Sequence, residues 1–211
     1  NAQKVILQDA EENLTSVAQI NSERIGAWLG KRTSEIEVLA RTPVLQTNDL
    51  KQIMPYLKEE AKLNPVYARF LVADLQGNTR YSNDTGANIA DREYFQQAKA
   101  GKFVIADPVI AKVDGKMVVV VAGPIKKDGQ VVGVLGGTIT VEELIKVVNE
   151  VKVGQSGYAY VTQKNGLIIM HPDKELVMKE NILANAEKDA SLKPLVAVTE
   201  GGKNLARYVM Q

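Results

Sequence analysis

The chain has 211 residues, 45% hydrophobic and 24% charged, which is the size and composition of a globular protein with one large or two small domains. A formal net charge of +1 excludes the strongly basic surface that attracts nucleic acids or anionic membranes. The chain has no cysteine and one histidine, which excludes disulfides, thiolate metal sites and metal sites built from several histidines.

Residues 3 to about 41 are predicted to form one long helix. Apolar residues recur along it at steps of three, four and seven: Leu7, Leu14, Val17, Ala18, Ile25, Trp28, Leu29, Ile36, Leu39 and Ala40. About 38 residues at 1.5 Å each span roughly 57 Å, which is far longer than a typical globular helix. Such a helix has to pack along more than one body or against a second copy of itself. The alternative is a bent helix, or two consecutive ones.

Two prolines lie in the helical region that follows, and each is expected to affect a helix. Pro43 is expected to stop the long helix, because a proline inside a helix removes a hydrogen bond and clashes with the preceding turn. Asn48-Asp49 is a capping signal for a second helix from Leu50 to about Leu63. Pro55 lies inside that stretch, and we expect a kink or a break there.

From Tyr67 the pattern becomes that of strands. Strands are predicted at Ala68–Asp74, Thr79–Ser82, Phe103–Val113, Met117–Pro124 and Val131–Thr140, followed by a helix at Val141–Val151. The turns between neighbouring strands are Gln76-Gly77-Asn78, Asp114-Gly115 and Asp128-Gly129, and Asp-Gly is a strong hairpin signal. The sequence therefore predicts an antiparallel meander. The valine run from Val118 to Val121 indicates a strand that is covered on both faces.

A short helix from Asp91 to Ala98 carries the first candidate binding residues. We expect Asp91 near its N-cap, where a carboxylate accepts bonds from free backbone N–H groups. Arg92 and Tyr94 would then project from the first turn, beside a helix N-terminus that favours anions. A guanidinium with a phenol beside it suits a small carboxylate, because two parallel charge-assisted bonds fix the plane of the carboxylate. The alternative is a solvent-exposed pair of Arg92 with Asp91 or Glu93.

The second half of the chain repeats the first weakly. Tyr158–Gln163 is again a predicted strand, Lys164-Asn165-Gly166 a turn, and Leu167–His171 a return strand. A period of about 89 residues separates Gly77 from Gly166 and predicts two domains of one fold in tandem. Coincidence is the alternative, since strand–turn–strand units are common. The second copy lacks two strands, so we expect either further chain after Gln211 or another segment to complete its sheet.

Five features occur in a characteristic order: the long helix, strand–Gly turn–strand, D-R-x-Y-F from Asp91 to Phe95, a meander with Gly123-Pro124-Ile125, and Gly-rich residues 133–139. Residues 153–161 and His171-Pro172 look like the beginning of a second, similar series of features. This order resembles the double Cache (dCache) extracytoplasmic sensor domains over nearly the whole chain.

The resemblance implies an α+β fold with two tandem PAS-like modules of antiparallel sheets along a helical stalk. It divides the chain into a stalk helix at 1–44, a membrane-distal ligand-binding module at 45–145 and a partial membrane-proximal module at 146–211. Such domains occur in methyl-accepting chemotaxis receptors, sensor histidine kinases and diguanylate cyclases, outside the cytoplasmic membrane and between two transmembrane helices. The long helix would be the usual dimer contact.

In amino-acid-binding members of that family, the D-R-x-[WY]-[YF] stretch holds the ligand carboxylate, and it corresponds to Arg92, Tyr94 and Phe95. The aspartate that holds the ligand ammonium in the last strand corresponds to Thr138. This departure argues against an α-amino acid, because a buried –NH3+ without a partner is costly.

The family's P-Y-x-D pattern is also missing, because Asp107-Pro108 is followed by Val109 and Ala111. A small carboxylate with a short apolar tail fits better, with Val109, Ala111 and Val118 on the far side of the pocket. Tyr81 lies at the mouth of the same sheet and is a further candidate contact.

We therefore expect a non-enzymatic sensor domain of a chemotaxis receptor that binds a small organic carboxylate, without a cofactor or a metal. It is expected to form a homodimer through the N-terminal helix and to be anchored in the membrane through segments outside this sequence. One alternative is an amino-acid or amine sensor of the same fold in which Asp107 replaces the missing carboxylates. Another is a dimerisation module whose pocket binds nothing.

Overall fold

The computed structural model describes residues 23–149, 158–162, 165–187 and 207–209. They belong to two compact units, one comprising Trp28–Glu143 and the other the chain before Trp28 and from Leu144 onward. The fold is α+β, with helices and antiparallel sheets, as predicted. The predicted domain limits at residues 44 and 145 stay predictions.

Three helices open the described chain. Helix α1 covers residues 23–40, and the remainder of the predicted long helix, 3–22, lies outside the described residues. Pro43 begins the short helix α2 (Pro43–Gln46), and Asp49 caps α3 (Leu50–Leu63) by accepting a bond from the Lys51 backbone N–H at 2.9 Å. The predicted break at Pro55 is wrong, because α3 continues through it. The buried side chains of Ile53 and Leu57 hold the helix on both sides of that proline.

The larger unit contains a seven-stranded antiparallel sheet. Its strands are β1 (Arg69–Ala73), β2 (Asn78–Tyr81), β3 (Gly86–Asn88), β4 (Val104–Ile105), β5 (Val109–Ile110), β6 (Met117–Lys127) and β7 (Gln130–Thr140). The order across the sheet is β3-β2-β1-β7-β6-β4, and β5 also pairs with β6. The long β6–β7 hairpin forms the centre, and its turn at Asp128-Gly129 has two positive φ angles, 51° and 80°, as a type I′ turn requires.

One prediction for this sheet is wrong. The single strand predicted at Phe103–Val113 is two short strands, β4 and β5, because Asp107-Pro108 interrupts it and proline cannot donate to a ladder. An edge strand that was not predicted, β3, lies before Asp91 and pairs with β2. The expectation that Val118–Val121 is covered on both faces is confirmed, since all four valines are buried.

Helices pack on both faces of the sheet. Helix α4 (Glu93–Lys99) packs against β6 and β7, and Phe95 is fully buried in the core on that face. On the opposite face Ile36 of α1 and the ring of Tyr67 lie against Gly137 of β7, close enough that an added Cβ would be 3.1 Å and 2.5 Å from them. Because successive residues of a strand point to opposite faces, Thr138 faces the α4 side.

The second unit contains a three-stranded antiparallel sheet in the order β10-β8-β9. Its elements are β8 (Tyr158–Thr162), β9 (Ile168–Met170), a 3₁₀ turn (Lys174–Leu176), α6 (Ile182–Ala186) and β10 (Arg207–Val209), and helix α5 (Val141–Asn149) precedes them. The turn glycines Gly77 and Gly166 have positive φ angles, 84° and 86°, and the predicted repeat of two domains stays a prediction. The completion of this second sheet lies outside the described residues.

None of the helices in the described ranges has both the length and the apolar character that crossing a membrane requires. Within the same ranges, no three metal-binding side chains come together.

Candidate functional site

A small cavity lies between the α4 face of the sheet and the hairpin formed by β5 and β6. Its walls are formed by Tyr81, Ile89, Arg92, Tyr94, Val109, Ile110, Ala111, Lys112, Val118, Val120 and Thr138. The volume open to the centres of water molecules is about 10 Å³, roughly the room that one water needs. The cavity is therefore nearly closed, and a larger ligand requires one of its walls to move.

Arg92 lies on the wall of this cavity, as the sequence suggested, but at a different helix position. It is itself the N-cap residue of α4, and no side chain caps that helix. Asp91 directly precedes the N-cap, so its predicted place near the N-cap is confirmed, but the predicted capping role is wrong. Asp91 instead accepts a bond from Lys112 at 2.5 Å, and that bond holds the pKa of the Asp91 carboxyl below its ordinary value. The Arg92 guanidinium donates through Nη2 to the Ile110 carbonyl oxygen at 2.7 Å.

Two phenols stand beside Arg92. Tyr81 and Tyr94 are both buried, with 3% and 6% of their surfaces exposed. Burial raises the pKa of Tyr81, while the charges of Arg69 and Arg92 act in the opposite direction. Burial also raises the pKa of Tyr94, and the neighbouring Tyr81 adds to that effect. Both phenols are therefore neutral hydrogen-bonding groups at the edge of a cationic site.

The apolar wall is the one that the sequence predicted. Val109 and Val118 are directly paired between β5 and β6, and Ala111 follows on the hairpin. Thr138 closes the cavity from β7; it is 2% exposed, and its hydroxyl donates to the backbone carbonyl of Arg69 at 3.0 Å. The structure thus brings together most of the predicted site residues.

Two predicted residues are not on the cavity wall. Phe95 is fully buried in the core under α4, where it packs rather than faces a ligand. Asp107 is exposed on the segment between β4 and β5. Its placement gives no support to the idea that it replaces the missing ammonium-binding carboxylates.

The sequence reading missed Lys112, Val120, Ile89 and Ile110. Val120 could have been found, because it lies two residues after Val118 on the same face of β6. Lys112 carried no such signal. It reaches across a gap of 21 residues to Asp91 and also donates to the Asn88 carbonyl oxygen at 2.9 Å.

The residues that line the cavity give it a positive charge. They include two cations, Arg92 and Lys112, and none of those described on its wall carries a carboxylate. A small cavity with a cationic wall favours charge-assisted bonds to an anion and disfavours an ammonium group.

Two polar contacts fasten the hairpin tip (residues 111–116) over the cavity: Lys112 donates to the Asn88 carbonyl oxygen, and Arg69 Nη1 pairs with Asp114 Oδ2 at 2.9 Å. Arg92 holds the Ile110 carbonyl oxygen directly before the tip. Within the tip, the Ala111 N–H donates to the Lys116 carbonyl at 2.8 Å, and Gly115 adopts a positive φ of 68°. The tip is thus an ordered turn fastened to the sheet and to the segment before α4 by polar contacts. Such contacts can be exchanged for contacts with a ligand.

Comparison with known proteins places this geometry in a family. The model of the dCache_1 family, described as Cache domain, matches residues 1–208. The methyl-accepting chemotaxis protein PctB of Pseudomonas aeruginosa is 28% identical over 179 residues, which cover 82% of this chain. The chain spans 28% of the length of that relative.

Solved structures of chemoreceptor ligand-binding domains have the same fold. That of the Pseudomonas fluorescens chemoreceptor CtaA in complex with L-serine has a TM-score of 0.75 and 26% identity, and the match covers 86% of this chain and 80% of that one. That of PctB in complex with L-Arg has a TM-score of 0.68 and 26% identity, and the match covers 82% and 75% of the two chains. The matched proteins are sensors of chemotaxis rather than enzymes.

Proposed function

This chain belongs to the Cache domain family, and from that membership we propose that it is the extracytoplasmic sensor domain of a chemotaxis receptor. Its ligand is a small organic carboxylate of acetate, propionate or pyruvate size, bound beside Arg92 in the module predicted at residues 45–145. The domain performs no covalent chemistry. Binding favours one of two arrangements of the domain, and its effect is limited by the difference in affinity between them.

One observation carries the choice of ligand: the Arg92 guanidinium borders the cavity and is held by a neutral acceptor, the Ile110 carbonyl. A carboxylate is a stronger acceptor for a guanidinium than a carbonyl is, because both partners are charged. A ligand carboxylate can therefore replace Ile110 at Arg92, with the phenols of Tyr81 and Tyr94 beside it. The valine pair of β5 and β6 supplies an apolar wall for the tail.

An amino-acid ligand is the second candidate, because the matched structures of CtaA and PctB contain L-serine and L-Arg. An α-amino acid needs a carboxylate for its ammonium group. The position expected to supply it is Thr138, whose hydroxyl is already donated to the Arg69 carbonyl. Asp91 lies near Arg92 but holds Lys112. The charges around the cavity therefore support the carboxylate ahead of the amino acid.

Isothermal titration calorimetry with acetate, propionate, pyruvate and a set of L-amino acids tests both candidates. We expect binding of at least one carboxylate, and a loss of about tenfold or more in its affinity in Arg92→Ala, as for removal of a charge-assisted bond. Arg80→Ala is the matched control, since Arg80 is exposed on β2 and is not among the residues lining the cavity. Unchanged carboxylate affinity in Arg92→Ala rejects the site, and binding of amino acids alone rejects the ligand class.

We further infer that α1 belongs to the stalk and forms a homodimer contact, and that segments outside this sequence anchor the receptor in the membrane. Val38 on α1 is the place to probe this contact, because 65% of its surface is exposed and a charge there would oppose burial against a second copy. Sedimentation of Val38→Asp against the unaltered chain tests this, with a shift toward monomer expected. A stable dimer that binds no ligand in the calorimetric set would instead favour the dimerisation module.

A further inference from the structure

Arg69 is a buried cation beside the cavity that the proposed ligand does not use. Its side chain is 7% exposed, and its guanidinium lies 5.5 Å from the centre of the Tyr81 ring, which lines the cavity. It is the register partner of Thr138, another lining residue, on the neighbouring strand. Arg69 therefore stands at the edge of the same site as Arg92, and the charges of both act on Tyr81.

The guanidinium of Arg69 is only partly satisfied. Nη1 pairs with Asp114 at 2.9 Å, but the buried Nε has no hydrogen-bond partner among the described residues. An arginine does not lose its proton in a protein, so burying it requires an anion close by. The anion that the structure supplies is Asp114, whose side chain is 29% exposed and which is carried by the hairpin tip.

Opening of the hairpin tip is one way for a ligand to enter. Ala111 and Lys112 of the tip form part of the cavity wall, and the space inside is close to that of one water. Movement of the tip withdraws Asp114 from Arg69. A single carboxylate bound at Arg92 leaves Arg69 buried without an anion, whereas a second carboxylate on the ligand can replace Asp114.

We propose that Arg69 is a second anion-binding residue of this site, that Asp114 is an internal stand-in for a ligand carboxylate, and that the ligand class is the short dicarboxylates. This inference rests on the proposed function, because it takes the first carboxylate to be bound by Arg92. The ligand exchanges both internal acceptors, the Ile110 carbonyl and the Asp114 carboxylate, for its own two charged groups. The tip is then held by the ligand rather than by the sheet.

Calorimetry of the full chain with malonate and succinate against acetate and propionate tests the class. The unaltered chain is expected to bind one of the dicarboxylates at least about tenfold more tightly than either monocarboxylate, the gain expected of one further charge-assisted contact. In Arg69→Met this advantage disappears, because the second carboxylate loses its partner and a bound monocarboxylate no longer leaves a buried cation without an anion. Arg80→Met is the matched control, an arginine on the neighbouring strand that leaves both affinities unchanged.

A second variant tests the stand-in. Asp114→Asn removes the internal anion, so a dicarboxylate no longer has to displace it and is expected to bind several-fold more tightly. Asp128→Asn is the control, since Asp128 occupies the other Asp-Gly hairpin turn, at the far end of β6. This variant decides the question even if Arg69→Met does not fold.

Equal affinities for mono- and dicarboxylates in the unaltered chain overturn the inference, as does an equal loss of both in Arg69→Met or weaker dicarboxylate binding in Asp114→Asn. The proposed function fails by a different result, which is a carboxylate affinity that is unchanged in Arg92→Ala.

Discussion

A single methyl group added at Gly137 tests how closely α1 is held against the sheet. The Cβ of alanine at this position would lie 2.5 Å from both Cδ1 and Cε1 of Tyr67 and 3.1 Å from Cδ1 of Ile36. Tyr67 cannot turn away freely, because its hydroxyl donates to Glu35 Oε2 at 2.8 Å and the residue is buried, with 3% of its surface exposed. Gly137 cannot withdraw either, since it is paired with Phe70 of β1 on one side and with β6 on the other.

Overpacking of this kind costs about 1–3 kcal/mol, and the aromatic neighbour and the central strand place Gly137→Ala at about 2–3 kcal/mol. For a chain of this length, roughly 2–4 °C of melting temperature corresponds to each kcal/mol, so Tm should fall by roughly 5–10 °C. Circular dichroism of the helical signal during heating gives the melting temperature. Urea denaturation gives the free energy of unfolding.

Gly30→Ala is the matched control, because it adds the same methyl group elsewhere in the same unit. Gly30 lies in α1, and nothing is within 4 Å of the position of an added Cβ. Alanine is the better helix former by roughly 0.8–1 kcal/mol, so this variant should melt higher than the unaltered chain. A Gly137→Ala variant that melts as high as the unaltered chain, while Gly30→Ala behaves as expected, would refute the close packing of α1 described here.

Three further variants probe the same unit. Tyr67→Phe removes the hydroxyl bound to Glu35 and should cost about 1–3 kcal/mol in urea denaturation, since the lost partner is charged; no change would contradict that bond. Pro55→Ala restores a helix hydrogen bond in α3 and should raise the free energy of unfolding by about 1–3 kcal/mol; a loss of stability would show that proline is preferred there. The bond from Arg69 holds the pKa of the Asp114 carboxyl below its ordinary value. The stability that this pair contributes is therefore fully present above the unfolded pKa of about 4, and it is lost as the pH falls through the lower pKa of the folded state. Denaturation curves of the unaltered chain and Asp114→Asn should therefore separate above about pH 4 and converge below it, and a constant difference at all pH values would contradict the assignment.

The strands and turns of the larger unit could be predicted because their signals are local. Alternation of side chains and the Asp-Gly turns at residues 114–115 and 128–129 identify β6 and β7 and their neighbours. The valine run of β6 is buried as its composition indicated. Each of these signals lies within a few residues of the structure that it specifies.

The prediction failed where a local signal competed with packing. The cost of Pro55 is one helix bond and a local clash, and the burial of Ile53 and Leu57 on either side outweighs it. At Asp107-Pro108 the outcome is the reverse. Neither flanking strand pairs over more than two residues with β6, so little ladder energy opposes the interruption.

The charged part of the site was the hardest to predict, because its contacts join segments that are distant in the sequence. Arg92 could be found from its own neighbours, but Arg69 carried no signal, since its importance depends on the register that places it beside Thr138. Its partner Asp114 looked like an ordinary turn residue, and it is one, with Gly115 following at a positive φ. The same aspartate is also the counter-ion of a buried arginine, and that second role follows only from the folding of the hairpin tip back onto β1. A residue whose type is accounted for by its turn can therefore also be the counter-ion of a buried charge in a binding site. Such a second role is found only by examining which buried charges are paired in the folded structure.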